Sequence, residues 1–157
     1  MIQLVNDILQ LSHLDSVSET HAQPDMETVD LLDVAKDCVE RQKLNAQRSF
    51  ISLTYLGESA RVLGNRDQLD ELCQNLCDNA IRYNRPGGKV QIITACSRDG
   101  HCSLTVTDNG IGIPREAQSS VFERFYRVDK SRSKATGGTG LGLAIVKHIA
   151  RIHNARI

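Results

Sequence analysis

Two asparagines occur four residues apart in a segment with a strongly helical pattern. Asn75 and Asn79 belong to DQLDELCQNLCDNAIRY, residues 67–83. Side chains at positions i and i+4 share one helix face, and Glu71 and Arg82 extend that polar face in both directions. Carboxamide oxygens can complete the shell of a magnesium ion that phosphates already hold, and an arginine neutralises phosphate. A solvated polar face is the alternative for this segment taken alone.

A glycine-rich turn follows a predicted strand and reads DNGIGIP, from Asp108 to Pro114. The Asp108 carboxylate can accept a hydrogen bond from the exocyclic amine of adenine, whereas it would repel the carbonyl that guanine carries at that position. Gly110 and Gly112 permit positive φ angles and close approach of the backbone to a flat ligand. An ordinary Asn-Gly turn is the alternative. An EF-hand loop is excluded, because the further acids that it needs are absent.

A second glycine-rich segment, GGTGLGLA at residues 137–144, runs into the last predicted helix. Free N–H groups at a helix start, together with the helix dipole, bind phosphate. The segment is not a P-loop, because no Lys-Ser/Thr pair follows the glycines. It is not a dinucleotide fingerprint either, because no strand leads into it. A flexible linker is the alternative.

Aromatic and basic residues lie between the two glycine-rich segments. Phe122 and Phe125 are expected to anchor one end of a mobile loop, residues 128–140, in the core. Lys130 and Arg132 would then move over an anionic ligand as part of a lid. A solvated charge run is the alternative for each basic residue.

Hydrophobic periodicity predicts the elements that position these segments. Helices are expected at residues 1–16, 31–48, 67–83, near 114–119 and from 141 onward, strands at 26–30, 50–56 and 60–64, and a hairpin from 89–97 and 101–108. Separate helices and a mixed, partly antiparallel sheet imply a two-layer α/β sandwich. The expected inward side chains are Leu31, Val34 or Ala35, Cys38, Val39 and Leu44; Leu69, Leu72, Leu76, Ala80 and Tyr83; and Leu141, Ile145, Ile149 and Ile152.

The composition of the chain argues against several classes of function. The chain has 157 residues, no net charge and no tryptophan, and nothing in it suggests a nucleic-acid partner. It contains no apolar run of membrane-spanning length and no signal peptide. An odd number of cysteines without a CxxC motif indicates a reducing, cytoplasmic compartment. We therefore expect Cys96 and Cys102 to be free thiols, and Cys73 and Cys77 to be small buried side chains rather than metal ligands.

Taken together, the motifs resemble the catalytic, ATP-binding domain of a bacterial two-component sensor histidine kinase. That family belongs to the ATPase superfamily of gyrase, Hsp90 and MutL. The resemblance covers about residues 26–157, and the four boxes occur in the family's order. The N box resembles NLCDNAIRY (75–83), the first glycine box DNGIGIP (108–114), the Phe box FERFYR (122–127) and the second glycine box GTGLGLAIVK (138–147).

The resemblance implies a Bergerat-type ATP-binding fold, α/β (α+β), in which helices cover one face of a mixed, mainly antiparallel sheet and one further helix precedes it. By the same resemblance, Asn79 with Asn75 would hold Mg²⁺ on ATP, and Arg82 would complete the catalytic set. Asp108 would read the adenine amine. The other expected nucleotide-binding residues are Tyr83, Gly110, Gly112, Ile113, Phe122, Phe125, Lys130, Arg132, Gly138, Thr139, Gly140, Leu141 and Gly142.

The resemblance also predicts a domain organisation. Residues 1–16 resemble the end of a dimerisation and phosphoacceptor helix, residues 17–25 a linker and residues 26–157 the catalytic domain, with C-terminal strands apparently missing. The family's phosphoacceptor box is absent, because His13 is followed by Leu14-Asp15. The implied activity is that of a protein-histidine kinase. It would transfer the γ-phosphoryl group from Mg-ATP to a histidine on the dimerisation domain of the same homodimeric kinase.

The implied later partner is a response regulator, and the implied location is the cytoplasmic part of a membrane-anchored sensor. Two other functions remain open. One is an ATP hydrolase of the gyrase or Hsp90 type, which needs a glutamate one turn before the magnesium asparagine, where this sequence has Asn75. The other is a non-catalytic ATP-binding module.

Overall fold

The computed structural model describes residues 25–128 and 138–157 of the chain. These residues divide into two compact units. One is residues 26–112, and the other consists of Asp25 and the described residues from Ile113 to Ile157. The predicted helix at 1–16, nearly all of the predicted linker, and Lys130 and Arg132 of the predicted lid lie outside the described residues.

Two helices, a two-stranded antiparallel sheet and a three-stranded mixed sheet build the unit of residues 26–112. Its elements in chain order are β1 (Glu27–Asp30), α1 (Leu31–Arg48), β2 (Ser52–Gly57), β3 (Arg61–Gly64), α2 (Arg66–Arg82), β4 (Lys89–Cys96) and β5 (Cys102–Asp108). β1 and β3 pair antiparallel in one sheet. In the other sheet the order is β2-β4-β5, with β2 parallel and β5 antiparallel to β4. The predicted α/β class is confirmed, and the strands form two sheets rather than one.

Side-chain caps set where the two helices begin. The Asp30 carboxylate accepts the Leu32 N–H at 2.9 Å at the start of α1, and it also accepts the Ala60 N–H at 3.0 Å and the Ser59 hydroxyl. These bonds, the one from Ser59 foremost, hold the pKa of Asp30 below its usual value. Asn65 caps α2 by accepting the Gln68 N–H at 3.0 Å.

α1 ends in a Schellman motif with an unusual residue at its left-handed position. The Phe50 N–H donates to the Gln47 carbonyl at 3.0 Å and the Ile51 N–H to the Ala46 carbonyl at 2.8 Å. Phe50 has a φ of 56° and its side chain is 75% exposed. A bulky residue therefore occupies a conformation that favours glycine.

The core of this unit lies between the two helices and the β2-β4-β5 sheet. β4 alternates and buries Val90, Ile92 and Thr94. Both helices pack on this sheet and on each other. Their buried side chains are Leu31, Val34, Ala35, Cys38 and Ala46 in α1, and Leu69, Cys73, Cys77, Ala80 and Ile81 in α2.

Some side chains that were predicted to face inward from the helices are exposed or only half-buried. Leu44 is 66% exposed and Tyr83 is 40% exposed, while Leu72 and Leu76 are only half-buried. The α2 core face is instead centred on Cys73 and Cys77, because these small side chains meet Cys38 of α1. Hydrogen bonds from the Cys73 and Cys77 thiols lower the pKa of Cys38 and raise the pKa values of the two donors. As expected, Cys73 and Cys77 are free and buried.

A disulfide joins Cys96 and Cys102 at the turn end of the β4–β5 hairpin. The expectation of free thiols at these two positions is therefore wrong. The Ser97 N–H donates to the His101 carbonyl at 2.8 Å, so the adjacent pair, Cys96 opposite Cys102, is the non-hydrogen-bonded kind in which side chains come closest. This cross-strand position places the two sulfur atoms within bonding reach.

The unit that includes residues 113–128 and 138–157 contains a short 3-10 helix, Arg115–Ala117, and the helix α3, Gly142–Ile152. The 3-10 helix stands where a short helix was predicted. α3 buries Ile145, Val146, Ile149 and Ala150, while the predicted inward residue Ile152 is half-buried. No helix among the described residues is long and apolar enough to span a membrane.

Candidate functional site

The polar face of α2 carries two asparagine amides, and the helix backbone fixes the orientation of one of them, Asn75. Asn75 donates from Nδ2 to the Glu71 carbonyl at 3.0 Å, which leaves Oδ1 of Asn75 as an acceptor. Asn79 lies one turn further along and is half-buried. Two amide oxygens at this spacing fit the hard, oxygen-liganded coordination of Mg²⁺ when phosphates supply the remaining ligands.

Arg82 ends the same helix and forms an ion pair. Its Nη2 lies 2.8 Å from Asp78 Oδ2, and both side chains are partly exposed. The predicted contact of Arg82 with phosphate stays a prediction, and it would require the guanidinium to share or leave Asp78. Tyr83 follows as the last residue of the N box and is exposed.

The first glycine box is fastened directly to the end of α2. The Ile111 N–H donates to the Tyr83 carbonyl at 3.1 Å. A Cβ atom on Gly110 would lie 2.4 Å from the same carbonyl oxygen, so only glycine fits there. Gly112 has a φ of 70°, a conformation that also favours glycine. The structure thus brings the N box and the first glycine box together, as the motifs predict.

Asp108 stands at the end of β5, before this turn, and its carboxylate has one oxygen engaged. Oδ1 accepts the Gly110 N–H at 2.8 Å. The side chain is exposed, so Oδ2 is available to an incoming donor. A carboxylate fixed in this way can recognise an amine on a flat ligand.

Sequence reasoning did not single out Asn84 and Asn109, whose side chains bond to main-chain atoms of Lys89 at the start of β4. Asn84 Nδ2 donates to the Lys89 carbonyl at 3.2 Å, and Asn109 Oδ1 accepts the Lys89 N–H at 2.6 Å. Their signal was positional, because each directly follows a predicted site residue, Tyr83 or Asp108. Recognising the contact required the strand register that places Lys89 opposite residue 109.

The other predicted ligand-binding segments lie in the second unit. The Phe125 N–H donates to the Gly140 carbonyl at 2.9 Å, which ties the Phe box to the second glycine box. Gly140 has a φ of 76°, and a Cβ atom there would lie 3.0 Å from the Phe125 backbone. Leu141 stands at the N-cap position of α3 and makes no side-chain cap bond to the first turn of that helix.

The expected anchoring of Phe125 in the core is wrong. Its side chain is 59% exposed and its φ is 64°, because the backbone bond to Gly140 holds the residue in a left-handed turn. Phe122 is half-buried, and the fully buried residue nearby is Ala117. The remaining predicted residues of this unit are Ile113, which is exposed, and Gly138, Thr139 and Gly142, of which Gly138 is buried.

Comparison with known proteins shows which family has these motifs. The profile of the family described as histidine kinase-, DNA gyrase B- and HSP90-like ATPase matches residues 64–157. The sensor-like histidine kinase SenX3 of Mycolicibacterium smegmatis is 43% identical over an alignment of 158 residues, which covers 100% of this chain and 40% of that protein. BaeS of Escherichia coli, a signal transduction histidine-protein kinase, is 38% identical over 100% of this chain and 33% of its own length.

Solved structures give the same result. The mycobacterial sensor histidine kinase MprB matches with a TM-score of 0.70 and 35% identity, over 82% of this chain and 80% of that one. Full-length ShkA in complex with AMPPNP matches in fold, with a TM-score of 0.78 and 24% identity over 96% of this chain and 30% of that one. The chain spans 40% or less of the length of the two curated relatives. The resemblance to sensor histidine kinases is confirmed, and the chain belongs to the family of histidine kinase-, DNA gyrase B- and HSP90-like ATPases.

Proposed function

We propose that this chain binds Mg²⁺-ATP and donates the γ-phosphoryl group to a histidine on a dimerisation and phosphoacceptor domain. It would do so as the catalytic domain, residues 26–157, of a two-component sensor kinase. The observation that carries the proposal is the amide of Asn75, one turn before Asn79, with its Nδ2 bonded to the Glu71 carbonyl. An amide cannot take a proton from water at neutral pH, so this position supports transfer to a protein acceptor over hydrolysis.

Magnesium would be held by the oxygens of Asn79 and Asn75 and by the triphosphate itself. When bound, the ion neutralises charge on the β- and γ-phosphates and helps to fix their geometry. The fixed Asn75 amide supports this role, because its Oδ1 is left as the acceptor. Arg82 would add a positive charge near the phosphates, in competition with Asp78.

The base and the phosphates would be recognised by different parts of the chain. Asp108 would accept the adenine amine, with Gly110 and Gly112 beside the ring and Tyr83 near the ribose. N–H groups of the second glycine box would bind phosphate at the uncapped start of α3. The other nucleotide-binding residues in this proposal are Ile113, Phe122, Phe125, Lys130, Arg132, Gly138, Thr139, Gly140, Leu141 and Gly142.

The proposal extends to the whole kinase. Residues 1–16 would be the end of a dimerisation helix and residues 17–25 a linker to the catalytic domain. The partners would be the dimerisation domain of the same homodimeric kinase and a response regulator, in the cytoplasmic part of a membrane-anchored sensor. The support is that the curated relatives are named as sensor and signal transduction histidine kinases.

The main contribution of this chain to the reaction would be to position the reacting groups. Phosphoryl transfer needs the nucleophile, the phosphorus and the leaving oxygen in line, with the phosphate charge neutralised. Here α2 and the first glycine box hold their groups against one another through the Ile111 to Tyr83 bond. The acceptor imidazole would come from the phosphoacceptor domain.

A transfer assay in trans tests the proposal. The 157-residue chain is incubated with [γ-³²P]ATP, Mg²⁺ and a separately purified phosphoacceptor domain that contains the family's histidine box. We expect acid-labile label on that domain, little label on the chain itself, and loss of transfer in Asn79→Ala. Acid-labile label on the chain alone, mapped to His13, His148 or His153, would contradict the proposal.

The same assay separates the kinase from an ATP hydrolase. Glu71 lies two turns before Asn79, one turn further back than the position from which a glutamate would activate water. Glu71→Gln should therefore leave the slow release of inorganic phosphate unchanged. Rapid ADP formation without an acceptor domain, lost in Glu71→Gln, would establish the hydrolase instead.

A further inference from the structure

The antiparallel ladder between β4 and β5 ends in an unusual way. Val90 and Asp108 form its last regular pair, so the next positions, Lys89 and Asn109, should exchange two main-chain hydrogen bonds. One of these is present, because the Asn109 N–H donates to the Lys89 carbonyl at 3.4 Å. In place of the other, the Lys89 N–H donates to the side-chain Oδ1 of Asn109 at 2.6 Å.

The side chain of Asn109 thus replaces its own main-chain carbonyl in the ladder. The carbonyl is released from β4, and the chain can turn away immediately after Asp108. The turn then closes on the Asp108 carboxylate, whose Oδ1 accepts the Gly110 N–H at 2.8 Å. An asparagine is well suited to this position, because its short side chain mimics a backbone carbonyl in turns.

The segment from Asp108 to Ile111 is joined to Lys89 on one side and to Tyr83 on the other. Asn109 fastens it to Lys89, Gly110 packs against the Tyr83 carbonyl, and the Ile111 N–H donates to that same carbonyl. Asp108 bonds through its side chain within the segment, to the Gly110 N–H. Asn109 bonds through its side chain to a different strand, at Lys89. Its removal should leave the strands paired while loosening the Asp108 carboxylate at the end of β5.

We infer that Asn109 is a positioning residue for base selectivity: its bond to the Lys89 N–H aims the Asp108 carboxylate at the six-position of the purine. The inference rests on the proposed function, in which Asp108 accepts the adenine amine. Asn109 itself touches no reacting group. It acts by restricting Asp108, so its loss should reduce discrimination between bases more than it reduces the binding of phosphate.

The test compares ATP with inosine triphosphate, whose base carries a carbonyl in place of the six-amine and, with it, a proton on N1. Dissociation constants for both are measured by calorimetry on the 157-residue chain, at a temperature where circular dichroism shows each variant to be folded. Asp108→Ala should abolish the preference for ATP. Asn109→Ala should lower the ratio of the two affinities by about two- to tenfold, the usual effect of one neutral hydrogen bond.

Two further variants separate positioning from general structural support. Asn109→Asp keeps an oxygen acceptor for the Lys89 N–H, so the affinity ratio should return towards that of the parent. Asn84→Ala is the matched control. It removes a side-chain bond of 3.2 Å to the Lys89 carbonyl and one of 2.8 Å from the Arg85 N–H, and the ratio should stay unchanged.

The affinity ratios of the variants test the positioning role of Asn109 separately from adenine recognition by Asp108. A parental ratio in Asn109→Ala, with the preference lost in Asp108→Ala, would overturn the positioning role and leave the proposed function intact. The same fall in Asn84→Ala or in Asn109→Asp would assign the effect to general loosening of the turn, and it would also overturn the role. A parental ratio in Asp108→Ala would refute adenine recognition by Asp108 and the inference with it.

Discussion

Gly110→Ala should damage both the fold and the nucleotide site through one steric contact. The new Cβ atom would lie 2.4 Å from the Tyr83 carbonyl oxygen, 2.9 Å from Asp108 Oδ1 and 3.0 Å from the Asn84 Cα. The first of these atoms belongs to the main chain at the end of α2, so it cannot swing aside as a flexible side chain would. Restoring even a 3.0 Å separation requires the turn to move by about 0.6 Å away from the helix.

The size of the effect follows from that displacement. Overpacking of this kind costs about 1–3 kcal/mol of unfolding free energy. For a chain of this size, that corresponds to a fall of roughly 2–12 °C in Tm. The same movement lengthens the Ile111 to Tyr83 hydrogen bond and misplaces the Asp108 carboxylate. A lost hydrogen bond to a charged group weakens binding by about ten- to a hundredfold, and we expect a decrease of this order in ATP affinity.

Thermal unfolding and calorimetric ATP titration measure the two effects, and Gly100→Ala provides the control. Gly100 has a φ of 85° and nothing within 4 Å of a Cβ position, so alanine there introduces backbone strain without a clash. It should lose about 1 kcal/mol of stability and no ATP affinity. If Gly110→Ala kept the parental Tm and ATP affinity, the close contact between the turn and α2 would not constrain the site, and this reasoning would fail.

Three further changes have defined outcomes. Asn79→Ala should weaken ATP binding in Mg²⁺ more than in excess chelator, because it removes one oxygen from an octahedral shell; equal losses in the two titrations would reject Asn79 as a ligand. Phe50→Gly should raise stability by about 0.5–1 kcal/mol in urea unfolding, because glycine relieves the positive φ and the side chain is exposed; a destabilised variant would indicate that the ring makes a contact worth more than the strain. Reductant should lower Tm by several degrees through opening of the Cys96–Cys102 disulfide, whose short loop contributes about 2 kcal/mol in the chain-entropy description. A double variant, Cys96→Ser with Cys102→Ser, should not respond, and a parent with the same Tm in both media would exclude a stabilising disulfide.

Local signals in the sequence were enough to locate most of the elements. α1 occupies Leu31–Arg48, as its periodicity predicts, and the hairpin of β4 and β5 follows from alternation on either side of a turn. The pairing between strands that are distant in the sequence could not be predicted from local patterns. The division of the strands into two sheets, with β2 parallel to β4, depends on contacts that no local pattern encodes.

Cysteines account for part of the difference between the predicted and the observed core. The apolar face of α2 was assigned from its leucines, whereas Cys73 and Cys77 occupy its centre against Cys38. The disulfide was missed because an odd cysteine count indicates a reducing compartment but says nothing about which residues face each other across a ladder.

The candidate site was predictable to the extent that its motifs are contiguous. The N box and first glycine box meet at the end of α2, as their composition suggests. The bond between Asn109 and the Lys89 peptide was not predictable, since it depends on the register of β4 against β5. The exposure of Phe125 was missed for a similar reason, because its left-handed turn is imposed by Gly140.

The bond from the Phe125 N–H to the Gly140 carbonyl has a consequence for how relatives of this chain can diverge. It brings together the two ends of the intervening stretch, so the distance that this stretch must span is the same whatever its length. Doubling the length of a loop between fixed ends costs only about 0.6 kcal/mol in closure entropy. Insertions and deletions between Phe125 and Gly140 should therefore cost the fold little stability, so this stretch can differ in length among relatives while its two ends stay in place.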